Sequence, residues 1–220
     1  MKQKLYALFI LTCLNGWGAN LLAQNGLGGG QEFFRSITFG QNIDFGKVDD
    51  DVRCNITTPT GKNVTLNGNT INYYTFDTPG VYQILTSGHQ THSETCDHSH
   101  LPEKILIQVA ALDFQFDFNK ISFSRPLSVG TVDGVQVKVP VTIKSRDYDG
   151  DPIRFGGIAV AGVGAMAEGV SDQEEIKFKE GIVMLSYTLK GSLQKPGYVM
   201  LDFIDSNQTT HTYYLPEPIK

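Results

Sequence analysis

No stretch of this 220-residue chain repeats apolar residues at i, i+3, i+4 and i+7 between helix caps, so the sequence offers no sustained amphipathic helix. It has no basic patch: the formal net charge is −5 and 19% of residues are charged, a poor match to nucleic acid. Beyond the N-terminal segment no apolar run is long enough to span a bilayer. The Gly/Ala-rich stretch 155–170 carries Glu168 and is too short. Catalytic signatures are missing too. There is no Gly-x-Ser-x-Gly elbow, no His-Glu-x-x-His and no phosphate-cradling glycine loop. Glu174 and Glu175 are adjacent and would face opposite ways on a strand, which unfits them as an acid/base pair. The expectation is a non-enzymatic protein.

Cysteine is scarce, at Cys13, Cys54 and Cys96. The first of these lies in a segment that reads as a secretory signal over residues 1–23. Lys2 and Lys4 give a positive start, Leu5 to Leu14 an apolar core, and Ala19 or Ala23 a small residue before cleavage. Ile10-Leu11-Thr12-Cys13 resembles a lipobox, with Thr12 bulkier than the usual residue, so lipidation at Cys13 is the lesser alternative to free export. The expected location is periplasmic, cell-surface or secreted. Processing leaves Cys54 and Cys96 as the only thiols. In an oxidising compartment such a pair is expected to form a disulfide.

What the chain has in quantity is period-two alternation. A glycine-rich tether, 24–32, precedes the runs Phe34–Phe39 and Val52–Thr57. Turn signals follow at Thr58-Pro59-Thr60-Gly61, Asn67-Gly68 and Thr78-Pro79-Gly80, and Asn67-Gly68 suits a tight hairpin. From Leu112 the runs resume: Phe114, Phe116, Phe118; then Val135 to Ile143, where Pro140 suggests an edge or a bulge; then 182–189, 198–204 and 211–215. His211 falls in the last run and is expected on a strand face. Lys195-Pro196-Gly197-Tyr198 repeats the Pro-Gly-aromatic lead-in of Pro79-Gly80-Val81-Tyr82.

Thr75-Phe76-Asp77-Thr78-Pro79-Gly80-Val81-Tyr82-Gln83-Ile84 resembles the penultimate-strand signature of immunoglobulin-like and PKD-like sandwiches. The resemblance implies a Pro-Gly turn leading into a central strand whose tyrosine packs near the core edge, with 104–109 as the closing strand. The expected fold is all-β: two tandem antiparallel β-sandwich domains, 33–110 and 111–220, joined tightly at Ala110-Ala111.

Between the last two strands of the first domain lies the one local hint of chemistry. Four of the five histidines, His89, His92, His98 and His100, stand there beside Cys96. Imidazole and thiolate are the donors that zinc and copper prefer. In an extended 96–100, Cys96, His98 and His100 point the same way. Three readings stay open: a fixed Zn or Cu site, loose metal capture, and a solvated polar loop. If Cys96 is a ligand, it is not free to bridge Cys54. Residues 80–89 also resemble a cupredoxin loop, with His89 in the histidine position but Thr86 where the cysteine ligand belongs, so a blue-copper centre is not implied. Asp147-Tyr148-Asp149-Gly150-Asp151 resembles a short calcium loop and reads first as a polar turn.

The leading expectation is an exported binding or structural accessory of the cell envelope with a metal-binding His-rich loop, its partner an envelope protein or a glycan. One rival is a copper- or zinc-handling protein. The other is an adhesion or carbohydrate-binding module with Tyr73, Tyr74, Tyr213 and Tyr214 as stacking faces.

Overall fold

The computed structural model describes residues 32–88, 101–150, 152–173 and 175–220. The export segment and residues 89–100 lie outside them. The fold is all-β with mainly antiparallel sheets, one of them nearly barrel-shaped. Among the described residues the strands fall into a five-stranded and a nine-stranded sheet, each with its own hydrophobic core.

The first sheet contains β1 (Glu32–Thr38), β2 (Arg53–Thr57), β3 (Asn63–Asn67), β4 (Gly80–Ser87) and β5 (Lys104–Ala110), in the order β1-β5-β4-β2-β3. β1 runs parallel to β5; the other pairs are antiparallel. Alternation does what it should. Cys54, Ile56, Tyr82, Ile84, Ile105, Ile107 and Val109 point into the core, while Arg53, Asn55 and Thr57 point to solvent. The turn at Thr58–Lys62 closes the β2–β3 hairpin through Thr58 N to Lys62 O, 2.9 Å. Asn67-Gly68, by contrast, makes no hairpin. It opens a 3-10 turn, Gly68–Tyr73. The glycine is used for close approach: at φ 51°, a Cβ there would sit 3.0 Å from Asp50, and Gly68 N donates to Val52 O at 2.9 Å.

Segments 39–52 and 68–79 cover the core face, contributing the buried Ile43, Val48, Ile71 and Phe76. This cover forms no ladder beyond a bridge between Gln41 and Phe76. Asparagine amides satisfy its backbone instead. Asn69 Oδ1 accepts from Val48 N and Asn72 Oδ1 from Phe45 N, both at 2.8 Å, and Asn72 Nδ2 donates to Gly46 O at 2.8 Å. Tyr82 is 2% exposed, and its hydroxyl accepts from Thr78 N at 3.0 Å.

The second sheet holds β6 (Leu112–Phe116), β7 (Ser122–Phe123), β8 (Gly130–Thr131), β9 (Gln136–Ser145), β10 (Ile158–Gly162), β11 (Ala165–Ser171), β12 (Gly181–Leu193), β13 (Val199–Ile204) and β14 (Thr210–Tyr214). Its main path is β14-β13-β10-β11-β12-β9-β6. The two ends approach through rings: Phe116 lies 4.5 Å from His211, and Phe118 lies 5.6 Å from Tyr213. Pro140 sits inside β9, a central strand and not an edge. N and O of one strand residue point to the same side, and Pro140 O accepts from Asp117 N at 2.9 Å. The missing N–H therefore faces the gap between β6 and β7, where no ladder runs. Tyr198 departs from its sequence twin. Tyr82 is two residues past its glycine and points inward; Tyr198 is one past and is 69% exposed.

The sheets meet at Ala110–Leu112. Phe39 N donates to Ala110 O (3.3 Å), Arg146 N to Ala111 O (2.9 Å), and Asn207 Nδ2 to Leu112 O (2.8 Å). The Arg146 guanidinium lies 5.3 Å from the centre of the Phe39 ring.

Candidate functional site

His89, His92, His98, His100 and Cys96 lie outside the described residues, but the base of their loop is described. Thr86 N donates to Glu103 O (3.0 Å) and Thr86 Oγ1 to Pro102 O (2.7 Å). Gly88 passes so close to the segment leading into β2 that a Cβ would stand 2.6 Å from Asp51 O. The loop therefore leaves from, and returns to, two hydrogen-bonded strands. Cys54 pairs in register with Thr86 at this same end of the sheet. Its thiol is fully buried and has no disulfide partner among the described residues, and burial pushes its pKa up.

Among the described residues no three His, Cys, Asp or Glu side chains are grouped to hold a metal ion. Asp147, at φ 52°, and Gly150, at φ 86°, shape a turn in which the Tyr148 ring packs edge-on against Phe178 at 4.9 Å; Asp151 lies outside the described residues. Of the four tyrosines read as stacking faces, only Tyr73 and Tyr214 are strongly exposed, at 81% and 66%. Tyr74 packs on Phe76 and Tyr82, and Tyr213 on Phe118 and Phe123. One tyrosine of each exposed pair is thus committed to packing, and no adjacent two-ring platform forms.

A cleft of about 730 Å³ lies where the two sheets meet. Ser36 and Gln108 form one wall. Tyr148, Arg154, Asn207 and Gln208 form the other, with Ala110 and Ala111 between. Small residues on this connection leave the space open. Arg154 is ion-paired with Glu175. A smaller recess of about 200 Å³ shares Ser36, Ala110 and Asn207 with this cleft and reaches Asp205 and His211.

Sequence reasoning missed the Asp205–His211 pair. Asp205 is 2% exposed. Its Oδ1 accepts from Asn207 N (2.8 Å) and Thr209 N (2.9 Å), and its Oδ2 meets His211 Nε2 at 2.9 Å. Asp205 therefore organises the β13–β14 turn and anchors the imidazole against Phe116. Its signal was present: an Asp-Ser-Asn-Gln-Thr turn between two alternating runs, with histidine six residues on. The chain matches no protein-family model, no curated protein and no solved structure.

Proposed function

We propose that the chain is an exported, non-enzymatic binding accessory of the cell envelope, made of two immunoglobulin-like units, with a transition-metal-binding His-rich loop. For the first unit, β2, β4 and β5 lie side by side as strands C, F and G of such a sandwich do, and Tyr82 holds the turn before its strand as a tyrosine corner does. For the second unit, the curled sheet faces itself across its core, with Tyr187 and Phe203 rings 5.6 Å apart. That favours the sandwich class over a flat sheet.

The observation that carries the metal reading is the pinned loop base at Thr86, Pro102 and Glu103. A loop whose ends are already held together pays less entropy to bring its imidazoles to one ion. Zinc at ~2.0–2.1 Å from nitrogen suits His89, His92, His98 and His100, and copper suits the same donors. Calorimetric titration with Zn(II) and Cu(II) tests this on the full mature protein and on a variant with all four histidines changed to alanine. Tight binding by the wild type, lost in the folded variant and weakening as pH falls through ~6.5, is the expected outcome. Equal weak binding by both proteins would leave the stretch a solvated loop. Export predicts a mature N-terminus near Gln24; sequencing that returned Met1 would remove the envelope location.

A second reading, glycan or partner binding, is favoured by the cleft between the sheets.

A further inference from the structure

We propose that the cleft between the two sheets, continued onto the outer face of the first sheet, is a binding site for a neutral polysaccharide chain. The proposal deepens the binding reading above by giving it a site and a ligand class, and it is independent of the His-rich loop.

Register defines the surface. The outward residues of β1, β5 and β4 line up as Glu32, Lys104 and Leu85; then Phe34, Leu106 and Gln83; then Ser36, Gln108 and Val81. The last row enters the cleft, because Ser36 and Gln108 line it. From there the second unit adds an opposing wall of Tyr148, Arg154, Asn207 and Gln208. Cleft and sheet face thus form one continuous surface along β5, long enough for a chain and not only for a single small molecule. The volume, about 730 Å³, falls within the ~300–1,000 Å³ of ordinary ligand sites, which concentrate at such junctions.

The chemistry selects the ligand. Every side chain named is neutral except Arg154, whose charge is met by Glu175, and the exposed Lys104–Glu32 pair, 2.6 Å apart. Among the described residues that line the site, an anionic or cationic ligand would find no uncompensated charge to bind. The walls instead offer the amides of Gln108 and Gln208 and the hydroxyl of Ser36. Among the described residues Gln108 Nε2 makes a single long 3.5 Å bond, to Val109 O, so its amide can turn to a ligand. Amides and hydroxyls donate and accept at once, as vicinal sugar hydroxyls require. Beyond the cleft, Phe34, Val81 and Leu85 are 56%, 50% and 46% exposed. Together with Leu106 they give an apolar strip on which the C–H faces of successive sugar rings can lie.

Calorimetry and NMR titration of the full mature protein with soluble neutral oligosaccharides test the site: β-1,4-glucan, α-1,4-glucan, β-1,4-N-acetylglucosamine and α-mannan chains, with polygalacturonate as the anionic comparison. At least one neutral chain should bind. Gln108→Ala should weaken it about ten-fold, the size of one lost side-chain hydrogen bond to a ligand. Ala111→Trp, which fills the cleft while keeping the backbone bond to Arg146, should abolish it. Tyr214→Ala, on the far sheet, should leave it unchanged. Thermal melts establish that each variant is folded. No binding by any neutral chain, preferential binding of polygalacturonate, or equal affinity in Gln108→Ala and folded Ala111→Trp would each overturn the proposal. Running the titrations with chelator present, and on the four-histidine variant, separates the two readings. Metal binding without glycan binding would sink only this inference, and the reverse only the metal site.

Discussion

Tyr187 carries the one buried side-chain polar atom without a hydrogen-bond partner among the described residues, its hydroxyl oxygen. The ring is fully buried in the second core, and burial pushes its pKa far above the ordinary phenol value. An unmet buried hydroxyl costs roughly 1–3 kcal/mol. Tyr187→Phe keeps the ring and removes the cost, so we expect a gain of about 1 kcal/mol, read as a higher denaturant midpoint at unchanged slope. Alkaline titration adds a second readout. A group with a raised folded pKa gives stability that is complete below its unfolded value, here ~10 for a phenol, and is lost as pH rises towards the folded value. Wild-type stability should therefore decline above pH ~10, and Tyr187→Phe should lose less over that range. A variant less stable than wild type at neutral pH would mean that the hydroxyl has a partner. Cys54 raises the second residue-scale question. It lies opposite Thr86, at the loop end of the sheet, and the expected bridge to Cys96 is open to a direct test. Denatured, unreduced protein should then titrate no free thiol; two thiols would refute the bridge and favour a metal thiolate.

At the scale of elements, the strands were legible wherever apolar and polar residues alternate, as in β2, β5 and β9. What was not legible was decided by partners distant in sequence. Asn67-Gly68 has the composition of a hairpin turn, yet its glycine serves the close approach of Asp50. Pro140 signals an edge, yet stands in mid-sheet because β6 gives way to β7 across from it. Parity explains the tyrosines: one residue of offset after the glycine sends Tyr82 inward and Tyr198 outward. The cover of the first core hid for another reason. It is held by Asn69 and Asn72 side chains, which leave no periodic trace. That dependence predicts a large effect for a half-buried polar residue. Asn72→Ala removes the acceptor of Phe45 N and the donor to Gly46 O, and should destabilise the protein by about 2 kcal/mol, against ±0.5 kcal/mol for an ordinary surface change. A melt of Asn72→Ala indistinguishable from wild type would show that water replaces both bonds without loss.

The whole molecule adds what neither sheet has alone. The candidate cleft draws its walls from β1 and β5 on one side and from Tyr148, Pro152–Arg154 and Ser206–Gln208 on the other. No periodicity within one segment could announce it; only the small residues Ala110-Ala111 at the join marked where space would open. The shape of the cleft therefore depends on the join. Its named contacts are few: Phe39 N, Arg146 N and Asn207 Nδ2 donate to three successive carbonyls, and Arg146 covers the Phe39 ring. The ring contact is one part that a side-chain change can remove without touching a core or the lining of the cleft. An exposed cation–π pair contributes ~0.5–1 kcal/mol, too little to unfold either sheet but a large fraction of so small a join. Arg146→Ala should therefore leave the melting of both cores within error of wild type, while freeing the sheets to reorient. Nuclear spin relaxation reads this directly. In the wild type the two units should share one rotational correlation time; in Arg146→Ala each should tumble faster than the whole, and ligand affinity at the cleft should fall with them. Unchanged tumbling in the variant would place the rigidity in the three backbone carbonyl bonds alone.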